Sequence, residues 1–84
     1  MKQLDHSSKV MQAIFSELKR AEELYPGWPD DIIHAAAVVG EEAGELTKAC
    51  LHFRYQNGNL EECWKEAVQT AAMAIRFLLN MEAP

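Results

Sequence analysis

An all-α fold is predicted for this chain: three helices, the last two forming a long antiparallel helical hairpin, assembling into a homo-oligomeric helical bundle. Three observations predict it. Apolar residues recur at steps of three and four along three long stretches, which is the helical period. Two compact turn signals, Pro26-Gly27-Trp28-Pro29 and Asn57-Gly58-Asn59, separate the stretches. No alternating apolar and polar residues flank the Asn57-Gly58 pair, so it does not read as a β-hairpin turn.

The first helix runs from Ser8 to Tyr25, with Met11, Ile14, Leu18, Ala21 and Tyr25 forming one apolar stripe. Lys9, Gln12, Glu17, Lys19, Glu22 and Glu23 occupy its other face. Pro26 then ends it, because proline lacks a donor and disfavours the helical region in its predecessor. Asp30 is the expected N-cap of the second helix, with Asp31 at the positive end of the dipole. Ile32, Ile33, Ala36, Val39, Leu46, Ala49, Cys50 and Phe53 carry the apolar pattern of this helix to about Tyr55. Gly58 is the expected left-handed residue of the next turn. The third helix starts near Leu60, carries Cys63, Trp64, Ala67, Ala71, Ile75, Leu78 and Leu79, and frays by Glu82. Two long helices joined by a short turn should pack antiparallel.

The sequence is 84 residues long, which makes a single domain over 1–84 and a thin core. Hydrophobic residues make up 49 % of it, too many for a disordered tail, so burial by self-association is the expected remedy. The net charge of −5 excludes sequence-independent DNA or RNA binding, which needs a basic footprint. No segment reads as a signal peptide: Met1 to His6 is polar. The most apolar stretch, Ile32 to Gly40, is interrupted by His34 and is too short to span a bilayer. Cys50 and Cys63 lack metal-ligand spacing and are too few for a disulfide framework. The expectation is a cytoplasmic protein with reduced thiols.

The chemistry lies in the acids. Glu41, Glu42 and Glu45 fall within one arc of about 100° on the second helix, although like charges three and four apart repel. Facing residues of an antiparallel pair have index numbers of constant sum, and Glu45 with Glu66 shares its sum with Glu42 and Gln69. Three carboxylates and an amide oxygen would therefore converge on one face. Such a cluster needs either protonation or a hard divalent cation. Several carboxylate oxygens with room for water suit Mg²⁺ or Mn²⁺ better than zinc, and such an ion commonly binds substrate phosphates. Activation of a water against phosphorus would follow. The plainer reading is a solvated acidic face, which an EExxE string alone often is.

Glu41-Glu42-Ala43-Gly44-Glu45, followed by Glu66 and Gln69 on the next helix, resembles the motif of the MazG-like all-α nucleoside triphosphate pyrophosphohydrolases: EExxE, a helix turn, then ExxD. Val39-Gly40 before the acids and Leu46 after them are similar to the same segment, and the helix order agrees from about Ser8 to Met81. The resemblance implies cleavage of a nucleoside triphosphate between its α- and β-phosphates, giving the monophosphate and pyrophosphate. It also implies Mg²⁺, a homodimer or homotetramer, and a housekeeping role against non-standard nucleotides. Carried over, the metal ligands are Glu42, Glu45 and Glu66, with position 69 the fourth, and Glu41 beside them orients a water or a second ion. Gln69 stands where the pattern has aspartate; an amide oxygen can coordinate but brings no charge and no base.

Lys48, one turn past Glu45, and Arg76, two turns past Gln69, are the candidates to contact phosphate oxygens; the alternative for each is a surface charge. Arg76 stands in an apolar run, where a charge needs a partner or an interface. Trp28 and Phe15 could stack on a base, but packing of the first turn and an oligomer interface are the preferred roles. His34 and His52 flank the acids at about two turns. Cys50 and Cys63 have an index sum close to that of the acid pairs, which brings them near each other as packing partners. The rival to the enzyme is a non-catalytic nucleotide-binding or interaction oligomer in which the acids form a polar seam.

Overall fold

A computed structural model describes residues 5–84, so the first four residues of the polar N-terminal segment lie outside the described residues. The described chain is all-helical: α1 spans His6–Leu24, α2 spans Ile32–Tyr55 and α3 spans Leu60–Leu79. Helix α3 is the shared neighbour, packing along both α2 and α1.

Each helix is started by a side chain that accepts from orphan backbone N–H groups of its first turn. Asp5 caps α1 through the Ser8 amide at 2.8 Å, and that bond holds its carboxyl below the usual aspartate range. Asn59 caps α3 through the Glu61 amide at 2.7 Å. Asp31, not Asp30, caps α2, accepting from Ile33 and His34 at 2.8 and 3.0 Å. The helix therefore starts at Ile32, and Asp30 is left outside it.

The α2–α3 turn differs from expectation in one residue. Asn57, with φ at 55°, takes the left-handed position, and Gly58 has no positive φ. Glycine is required at 58 for a different reason. Its amide donates to the His52 carbonyl at 2.8 Å, and a Cβ there would lie 2.7 Å from the His52 carbonyl carbon and the Phe53 nitrogen. The chain folds back against the end of α2 at a distance only a bare Cα permits.

Ile14, Leu18 and Ala21 of α1 meet Ala72 and Met73 of α3 to form the buried cluster, with Val38 and Val39 of α2 packed against it. The stripe expected on α1 is therefore only its middle, because Met11 and Tyr25 are exposed. Helix α2 departs further. Of its residues only Ala35 is buried, while Ile32, Ile33, Leu51 and Phe53 face out, Ile33 at 75 % exposure. The radius of gyration is 14.5 Å, against about 12 Å for a compact chain of this length.

Candidate functional site

Glu42, Glu45, Glu66 and Gln69 lie along the α2–α3 seam, divided between two cavities. The smaller, about 320 Å³, is lined by Glu45, Lys48 and His52 of α2 and by Glu62 and Glu66 of α3. The larger, about 480 Å³, takes in Glu42 of α2, Gln69 and Arg76 of α3, Glu17 of α1, and Trp28 of the connecting loop. Each expected pair, Glu45 with Glu66 and Glu42 with Gln69, thus shares a cavity. The four do not share a single cavity. The link between the two is electrostatic, through Glu42 and Glu66.

Glu42 is half-buried. Burial pushes its carboxyl above the usual glutamate range, and the neighbouring Glu66, Glu45, Glu17 and Glu41 carboxylates add to the rise. Glu66 is also half-buried, and its Oε2 is sealed from solvent with no hydrogen-bond partner. A buried carboxylate oxygen in that state costs on the order of a kcal/mol or more. Five acids bear on this region, and Lys48, exposed on α2, pairs with none of them. Glu41 and Glu45 are exposed on α2.

Among the described residues, no three Asp, Glu, His or Cys side chains stand gathered as a ready ligand set. Like charges in a half-buried seam repel, which opposes their gathering without a cation. As oxygen donors, Glu42, Glu45, Glu66 and Gln69 fit a hard cation, and the orphaned Glu66 oxygen is the donor most in need of one.

Arg76 is not at the surface. It is 5 % exposed, and Nη2 donates to the backbone carbonyls of Tyr25 and Gly27, the latter at 3.1 Å. Its guanidinium carbon lies 5.1 Å from the centre of the Trp28 ring. Two carbonyl dipoles and a ring face thus supply the partner that a charge in an apolar run needs. Trp28 packs the loop against the core, while Phe15 is exposed on α1.

Glu17 belongs to the site and was assigned by sequence to the solvated face of α1. Its side chain is only 13 % exposed, lines the larger cavity, and pairs with Arg20 at 2.7 Å. One local signal was available: Glu17 lies one turn past Ile14 and beside Leu18, at the edge of the buried stripe. That this edge faces the acids depends on how α1 leans on α3, which no local pattern encodes. His34 stands in the first turn of α2, away from both cavities, whereas His52 lines the smaller one.

The chain matches no protein-family model, no curated protein and no solved structure.

Proposed function

We propose that the chain is a Mg²⁺-dependent nucleoside triphosphate pyrophosphohydrolase of MazG-like type, converting a nucleoside or deoxynucleoside triphosphate to its monophosphate and pyrophosphate. The observation that carries the reading is the sealed, unpartnered Oε2 of Glu66 beside Glu42, whose carboxyl is raised by burial and by its acidic neighbours. Structural acids are ordinarily paired or solvated. An acid left in this state is explained by a cation that pairs with it in use.

Glu42, Glu45 and Glu66 would hold the ion, with the Gln69 amide oxygen as a fourth, neutral donor; Mn²⁺ would serve as well as Mg²⁺. When bound, the ion supplies charge neutralisation for the phosphates and acidifies a water. The side chains do the rest. Glu41, exposed next to Glu42, orients the attacking water or a second ion. Lys48, exposed and lining the smaller cavity, draws in the polyphosphate. Arg76 acts through the loop: by gripping the Tyr25 and Gly27 carbonyls it fixes Trp28 against the larger cavity, whose roughly 480 Å³ is within the range of small-ligand pockets.

The proposal includes an antiparallel α2–α3 hairpin and its assembly as a homodimer or homotetramer, active in the cytoplasm. Supporting the hairpin, Glu45 shares a cavity with Glu66 and Glu42 with Gln69, so neighbours descend α2 as they climb α3. Supporting assembly, the isolated chain exposes 6558 Å², against about 5000 Å² for a compact monomer of this mass. Ile32, Ile33, Leu51 and Phe53 on α2, with Leu78 and Leu79 on α3, supply much of the apolar excess. One observation favours a second reading, a nucleotide-binding or interaction oligomer without turnover: Gln69 removes a charge from the fourth donor position.

The test is pyrophosphate release from a panel of canonical and modified nucleoside triphosphates with Mg²⁺ or Mn²⁺, comparing wild type with Glu45→Gln. Metal-dependent release that Glu45→Gln abolishes supports the enzyme. Folded protein that turns over no triphosphate on the panel overturns it in favour of the second reading.

A further inference from the structure

We propose that Cys50 and Cys63 are a redox pair, joined by peroxide into a reversible disulfide that staples α2 to α3. Neither residue has a part in the proposed hydrolysis, so the inference stands independently of it.

The two thiols are free, Cys50 exposed on α2 and Cys63 buried on α3. They are nonetheless neighbours. Cys50 stands near enough across the seam to act on the Cys63 thiol, which itself donates to the Asn59 carbonyl at 3.9 Å. The helix register explains the approach: Ala49 and Glu62, each next in sequence to one of the cysteines, line the same small cavity. Cysteines at facing positions of two packed helices can be bridged when their Cβ atoms point toward each other, by side-chain rotation and small helix shifts. The four-residue turn between α2 and α3, held by the tight passage at Gly58, keeps the two helices in this register.

The asymmetry of the pair sets the order of steps. Burial and the Cys50 thiol push the Cys63 thiol above its ordinary range, so Cys63 is slow to ionise and is shielded from solvent oxidants. Exposed Cys50 reacts first: its thiolate attacks one peroxide oxygen, the O–O bond breaks, and Cys50 becomes a sulfenic acid as water leaves. Cys63 then attacks the Cys50 sulfur, the S–S bond forms, the S–O bond breaks, and a second water carries off the oxygen. Two thiols and one peroxide become one disulfide and two waters. A thiol reductant reverses the bond by exchange.

The experiment treats the full chain at low protein concentration with hydrogen peroxide, then reads intact mass, free thiols and Tm under non-reducing conditions. The expected product has lost two hydrogens, shows no free thiol and remains a single covalent chain. Closing a loop of about 15 residues should raise its Tm by on the order of 10 °C, reversed by dithiothreitol. Cys63→Ser should leave Cys50 to accumulate as the sulfenic acid, trapped by dimedone, and show no rise in Tm. Cys50→Ser should leave Cys63 unmodified over the same time. Two free thiols after treatment, successive oxygen additions located on the cysteines of wild type by peptide mapping, or a disulfide joining two chains through Cys50 would each overturn the proposal.

Discussion

Replacing Arg76 by methionine is the sharpest test of how this fold is held. The guanidinium is 5 % exposed and grips two backbone carbonyls, those of Tyr25 and Gly27, while lying over the Trp28 ring. Methionine fills similar space but leaves both carbonyls without their donor. Hydrogen bonds from a charged donor contribute about 1.5–3 kcal/mol each. A desolvated cation over an aromatic ring adds about 0.5–2 kcal/mol. Relief of the buried charge offsets part of this, leaving an expected loss of about 3 kcal/mol. Against the ~4–13 kcal/mol available to a domain of this length, that is a large share. Urea unfolding followed by Trp fluorescence, at fixed protein concentration, measures it; Tm should fall by roughly 15 °C. Arg76→Lys keeps the charge but is shorter and not planar, and should recover only part of the loss. Methionine tolerated within about 0.5 kcal/mol would refute the clasp and return Arg76 to the role of a free cation.

Other perturbations follow from the same geometry. Glu42 has its carboxyl raised in the folded state, so folding favours its protonated form: the resulting stability is present below the usual glutamate pKa and is lost as pH rises through the raised value. Glu42→Gln should therefore raise Tm at pH 7 and have little effect near pH 4; the opposite trend would show the acid to be well solvated. Mg²⁺ at about one hundred times its Kd should stabilise wild type by ~2.7 kcal/mol, read as a Tm rise that Glu66→Gln removes. At the turn, Gly58→Ala should cost ~2 kcal/mol from its clash with the end of α2, whereas Asn57→Gly should change stability by less than about 0.5 kcal/mol, both by chemical denaturation.

What could be read locally was read well, and what depended on packing was not. The helical period placed all three helices to within a residue or two, because periodicity and proline are local signals. The index relation paired Glu45 with Glu66 and Glu42 with Gln69 because a four-residue turn leaves little freedom in register. Cap choice between adjacent Asp30 and Asp31 is not settled by composition, since either side chain could accept from a first turn. The turn misled for a related reason: glycine commonly marks a left-handed residue, yet at 58 it is required by a close approach between backbones. Glu17 escaped because what it faces across the larger cavity, Glu42 and Gln69, is distant in sequence, and Arg76 was singled out as needing a partner that the sequence could not name. The buried arginine needed carbonyls about fifty residues away, and no pattern within α3 names them.

The grip of Arg76 on the α1–α2 loop addresses main-chain oxygens, and a carbonyl is the same whatever side chain it carries. Positions 25 and 27 are thereby released from any duty to this contact, while position 76 is bound to it. A library randomising Tyr25 and Gly27 should yield many folded chains; one randomising residue 76 should yield few. The loop bordering the larger cavity can be rewritten without loosening its anchor, which makes it the natural place to alter what that cavity admits.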